Sequence, residues 1–112
     1  MTVRDFLHDI YTVADSSPIC GIPAIRRLTA SAINLRIPVS SGQFIDAFFN
    51  EQTGRTAFAF IENEKRLFGA DNTGGWHVHP FDNPDLHETR DEAMVFSDFI
   101  KLIEARLQNK QA

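Results

Sequence analysis

Three of the chain's four histidines, His77, His79 and His87, fall in the segment Asp71 to Glu88, DNTGGWHVHPFDNPDLHE. Imidazole is the one side chain whose ordinary titration lies near neutral pH, and its neutral form is the commonest nitrogen ligand of transition metals. Along a strand, residues two apart project from one face, so His77 and His79 are expected side by side. Asp71, Asp82, Asp85 and Glu88 lie near enough in sequence to orient an imidazole, accept a proton or complete a metal site.

Two kinds of chemistry suit these residue types. In the first, His77, His79 and His87 are nitrogen ligands of zinc or another divalent transition metal, with a carboxylate or water in the fourth place. In the second, no cofactor is needed. One histidine serves as general base and another as general acid, while Arg66 or Arg90 steadies developing negative charge, which fits cleavage of an RNA phosphodiester. A plainer alternative makes the segment a hydrogen-bonded loop, with Asp71-Asn72 and Asp82-Asn83-Pro84 as turn formers and Gly74-Gly75 as permissive positions. Trp76 is then a lid on the core rather than a platform on which a base stacks. Gly74-Gly75 lacks the further glycines of a dinucleotide or phosphate-loop fingerprint. His8, beside Asp9, is read as a surface residue, and Cys20, the single cysteine, as an inert packing residue.

These side chains need a scaffold, and the hydrophobic pattern describes one. Val3, Phe6, Leu7, Ile10 and Ala14 recur at spacings of three and four, with Thr2 and Asp5 able to cap, which predicts a first helix ending by Ser16-Ser17-Pro18. Pro18, Gly21 and Pro23 punctuate a short connection. From Ser31 to Val39 the alternation of Ile33, Leu35, Ile37 and Val39 with Asn34, Arg36 and Pro38 predicts a strand with one wet face. Pro38 cannot donate to a ladder, which places that strand at an edge or pairs it over only part of its length. Phe44 to Asn50, Arg55 to Glu62 and Lys65 to Ala70 follow as strands separated by short turns, with Trp76 to His79 as a fifth. Phe96, Phe99, Ile100, Ile103 and Leu107 predict a closing helix, with Thr89 and Glu92 as its capping box. The expected fold is α+β: a single antiparallel meander sheet of four to five strands, with the N-terminal and C-terminal helices packed on one face. Residues 1–112 are expected to form one domain.

Composition narrows the partners. A formal net charge of −4 argues against a broad cationic footprint for nucleic acid. The charge is uneven, however: Arg26, Arg27, Arg36, Arg55, Lys65 and Arg66 precede Asp71, whereas Asp82, Asp85, Glu88, Asp91 and Glu92 follow it, which keeps RNA as a candidate partner. One cysteine excludes an internal disulfide and fits a cytoplasmic location. No stretch approaches the roughly 18 apolar residues of a membrane span, and charges interrupt MTVRDFLHDIY where a signal peptide needs an apolar run.

The order of an alternating strand, GRTAFAF, KRLFGADN and then closely spaced histidines resembles the TumE-like toxins of prokaryotic toxin–antitoxin pairs over residues 31 to 88. Asp71, Asn72, His77, His79 and His87 fall on that family's pattern, while Ala70 and Thr73 to Trp76 depart from it. The resemblance implies a small intracellular toxin, encoded beside an antitoxin protein and acting on RNA. As a metal-independent ribonuclease it would use His77, His79 and Asp71 as catalytic residues, with Arg66, Asn72, Trp76 and His87 contacting substrate. The alternatives are a metal-binding protein or metal-dependent hydrolase built on His77, His79 and His87, and a non-enzymatic interaction domain that pairs through a sheet edge. A second copy of the chain is a further candidate partner.

Overall fold

Thr2 accepts a hydrogen bond from the Asp5 backbone N–H while the Asp5 carboxylate accepts one from the Thr2 N–H, so the predicted capping residues do start the first helix. In the computed structural model of the chain, which describes residues 1–111, this is α1, Val3–Ser16. Seven strands follow: β1 Ala24–Leu28, β2 Ala32–Ser40, β3 Gln43–Asn50, β4 Thr56–Glu62, β5 Lys65–Asp71, β6 His77–His79 and β7 Glu88–Thr89. Helix α2, Phe96–Gln111, closes the chain. Among the described residues no helix is long and apolar enough to cross a membrane.

All the strands form one antiparallel sheet whose spatial order is the sequence order, β1 to β7. The α+β meander is as expected, but seven strands replace the predicted four to five. Both extra strands lack the usual signal. All five residues of β1 are exposed, so no apolar alternation marks it, and β7 is only Glu88–Thr89. The predicted capping box is also corrected: Thr89 lies in β7 opposite His77, and α2 starts seven residues later at Phe96. Pro38 is accommodated because β1 reaches only from Ile33 to Arg36 of β2 and stops short of it.

Residues of even parity on β4 and β5 and odd parity on β2 and β3 face the helices. Ile33, Leu35, Ile45, Phe58, Phe60 and Phe68 are buried there in one apolar cluster with Phe6 and Ile10 of α1 and Phe96, Phe99 and Ile103 of α2. Phe58 sits at its centre, with ring centroids 6.2 Å from Phe6, 5.5 Å from Phe96 and 5.3 Å from Phe99. Each such side chain removed from water contributes roughly 1.5–3 kcal/mol.

The opposite face carries the residues of interest in two cross-strand rows. Arg36, Asp46, Ala59, Gly69 and His79 make one row, and Asn34, Phe48, Ala57, Asp71 and His77 the next.

Candidate metal centre

Pairing of β5 with β6 sets Asp71 directly opposite His77 and Gly69 opposite His79, so both imidazoles and the carboxylate stand on the face away from the helices. Asp71 spans the two rings: its Oδ1 is 3.2 Å from His77 Nε2 and its Oδ2 is 3.4 Å from His79 Nε2. The loop after β6 then returns His87, whose ring centroid lies 5.0 Å from that of His77 and 4.3 Å from that of His79. One ligand-type nitrogen from each of the three histidines falls within 4.8 Å of the others. His79 is buried, His77 half-buried and His87 exposed, so the cluster has an anchored side and an open side.

The remaining ring nitrogens meet carbonyl oxygens. His77 Nδ1 is 3.2 Å from Gly75 O, and His79 Nδ1 is 3.1 Å from Pro84 O. A carbonyl can only accept, so with Nδ1–H of His77 donating to Gly75 O a neutral ring turns its Nε2 lone pair toward the Asp71 carboxylate, whereas a doubly protonated ring donates to both. In the neutral case two acceptors face each other, an arrangement that a proton or a metal cation between them relieves. His79 has a choice. Arg66 Nη2 lies 3.3 Å from its Nδ1 and also donates to Pro84 O at 3.1 Å. With Nδ1–H donating to Pro84 O, His79 also turns a lone pair toward Asp71; with Arg66 donating to Nδ1, His79 donates Nε2–H to Asp71 instead.

Gly69 makes this packing feasible. A Cβ there would lie 3.1 Å from Arg66 Cδ, 3.3 Å from Phe58 O and 3.6 Å from His79 Cδ2, so any side chain would press on the arginine stem and the Phe58 carbonyl while only touching the ring.

Burial holds the His79 imidazolium below its ordinary pKa of 6.5, and the Arg66 charge adds to this against the opposing pull of Asp71. For Asp71, burial alone would raise the pKa, but the Thr73 N–H, the charge of His77 and the hydrogen bond to His79 outweigh it and bring it below 3.8. Both folded-state values are depressed, so each contributes stability that is present at high pH and lost on acidification. Chelator-treated protein should therefore show a urea midpoint that falls as pH drops below about 6.5 through His79, and again below about 3.8 through Asp71. A midpoint that is flat or rises between pH 7 and pH 5 would contradict the His79 part.

The structure thus gathers Asp71, His77, His79 and His87, with Arg66 behind His79 rather than at the open side. Two of the other predicted contacts lie elsewhere. Asn72 accepts from Thr56 N at 2.8 Å and donates to Gly54 O at 2.9 Å, which ties the end of β5 to the β3–β4 turn. Trp76 packs against the core, and its carbonyl accepts from Arg90 N at 2.9 Å. Asp82 pairs with Arg106 on α2, and His8 is exposed on α1. The carbonyls of Gly75 and Pro84 and the bare Cα of Gly69 were not visible in residue types, since backbone groups and absent side chains carry no signature of their own. No protein-family model matches the chain, and comparison with curated proteins and with solved structures finds no match either.

Proposed function

We propose that the chain is a metal-binding protein whose site takes a divalent transition ion through His77, His79 and His87, with Asp71 as carboxylate partner. The observation that carries this is the clustering of three imidazoles, two of which, His77 and His79, meet the Asp71 carboxylate at Nε2 and a backbone carbonyl at Nδ1. Ligating histidines characteristically donate their other N–H to a carbonyl or carboxylate, which fixes the ring and raises its basicity. Distances agree as well. Two ligands about 2.0–2.1 Å from a tetrahedral ion stand roughly 3.3 Å apart, close to the 3.2 Å from Asp71 Oδ1 to His77 Nε2 and the 3.4 Å from Oδ2 to His79 Nε2. The three histidine nitrogens, within 4.8 Å of one another, would draw together on binding. Nitrogen-rich sites suit zinc and its neighbours rather than magnesium or calcium.

Asp71 decides the class of site. As a fourth ligand it closes the coordination sphere, as in structural zinc sites. Held outside, it leaves a place for water or a substrate oxygen beside a carboxylate able to take a proton, as in hydrolytic sites. The RNA-cleaving toxin reading receives less support, because His77 and His79 face Asp71 and the guanidinium that contacts the cluster, Arg66, lies on the far side of His79.

Elemental analysis of protein made without a histidine tag tests the proposal. About one equivalent of a transition metal is expected in the wild type and far less in His79→Gln. Less than about a tenth of an equivalent after incubation with zinc, cobalt or manganese would overturn it. Arg66 supplies a further check: by holding Pro84 O it secures both the His79 contact and the loop that delivers His87. Arg66→Ala should weaken metal affinity about 10–100-fold at unchanged stoichiometry, measured by competition with a chromogenic chelator.

A further inference from the structure

A second site lies on the other face of the same hairpin. Val78 projects oppositely to His77 and His79, toward the helices, and there borders a cleft of about 560 Å³ between β6–β7 and α2. Phe68, Phe81 and Met94 give the cleft an apolar floor. Leu102, Ala105, Arg106 and Asn109, at spacings that share one helix face, make its α2 wall. Leu102 is 44% exposed because nothing in the described chain covers that wall.

Arg106 is the polar group set against the apolar floor of the cleft, whose rim also carries Asp82, Glu88 and Arg90. Its guanidinium lies 5.0 Å over the Phe81 ring, and its Nη2 donates to Asp82 Oδ1 at 3.1 Å. Its Nε, however, is buried and has no acceptor among the described residues. Nε–H and Nη2–H form one edge of a planar fork that fits both oxygens of a single carboxylate. Asp82 occupies only half of that edge, and its side chain is 87% exposed, so this ion pair is weakly held. A buried donor left unpaired calls for a partner, and the described residues supply none.

We propose that this cleft binds an amphiphilic monocarboxylate. Its carboxylate displaces Asp82 and engages Nε and Nη2 of Arg106, and its hydrocarbon body covers Phe68, Phe81, Met94 and Leu102. The volume is within the range of small-molecule pockets, about 300–1,000 Å³. A polyanion is disfavoured because Asp82 and Glu88 offset Arg90 and Arg106 around the cleft, leaving no net positive charge, and a neutral alcohol because it leaves the guanidinium edge unmatched. The proposal does not rest on the metal reading, although Phe81 and Asp82 belong to the loop that also carries Pro84 and His87.

Titration of the full chain with decanoate, 1-decanol and citrate, followed by amide chemical shifts, tests this. Decanoate should bind saturably with shifts centred on Val78, Leu102 and Arg106, and decanol and citrate should bind at least about ten-fold more weakly. Arg106→Met should weaken decanoate binding by about ten-fold or more, and Leu102→Glu should do so by placing a carboxylate on the apolar wall. Both positions are partly exposed, so the variants should keep the wild-type fold, which their far-ultraviolet spectra and melting temperatures report. Equal affinity for decanol, unchanged affinity in a folded Arg106→Met, or no saturable shift up to millimolar decanoate would each overturn it.

Discussion

Saturating zinc is expected to raise the melting temperature of chelator-treated protein by on the order of 10 °C. A ligand that binds only the folded state stabilises it by about 2.7 kcal/mol at a concentration 100 times its Kd. For a domain of this size each kcal/mol moves the midpoint by roughly 4 °C or more. The folded state holds the donors within 4.8 Å of one another, an arrangement the unfolded chain has no means of keeping, so the differential affinity is large. Asp71→Asn keeps the hydrogen bonds of a neutral side chain but removes the charge between the two rings, and should reduce the zinc-induced shift by at least half. His79→Gln should abolish it. Calorimetry with and without excess chelator reads both, and a shift of equal size in wild type and His79→Gln would place zinc elsewhere.

Phe58→Ala should cost about 3–5 kcal/mol, the range for deleting a large buried aromatic side chain. Phe58 touches both helix layers at once, through Phe6 on α1 and through Phe96 and Phe99 on α2, so its loss leaves a hole where three elements meet. Against a total stability of about 5–15 kcal/mol for an ordinary domain, this variant should unfold several molar units of urea earlier or fail to fold. Phe48→Ala, on the half-buried opposite face, provides the contrast and should cost markedly less. Equal urea midpoints for the two variants would show that the helices do not cover the face described.

Much of this architecture was legible in the residues, and the failures have physical causes. Periodicity located α1, the four central strands and α2 because each buries one face, and burial is what apolar spacing reports. It was silent on β1, which exposes both faces and exists through backbone pairing to β2. Thr89-x-x-Glu92 had the form of a capping box, but Thr89 found a ladder position opposite His77 instead, a competition that local sequence does not resolve. At the site, period two correctly set His77 beside His79, and adjacency to the strand end gave Asp71. His87 depended on the course of residues 80 to 86, which turns back under a carbonyl held by Arg66. The charge of Arg66 is evident in sequence but its direction is not, so its position at His79 Nδ1 has no signature in residue type.

Agreement between spatial and sequence order in the sheet has a kinetic consequence. Each strand docks on the one made just before it, so every pairing closes only a short loop and the slow search typical of long-range β topologies is avoided. During synthesis β1 to β5 can assemble before β6 emerges, with Asp71 waiting at the growing edge. The histidines are then the last part of the sheet to be added, and capture of an ion would act as a latch on a template already built.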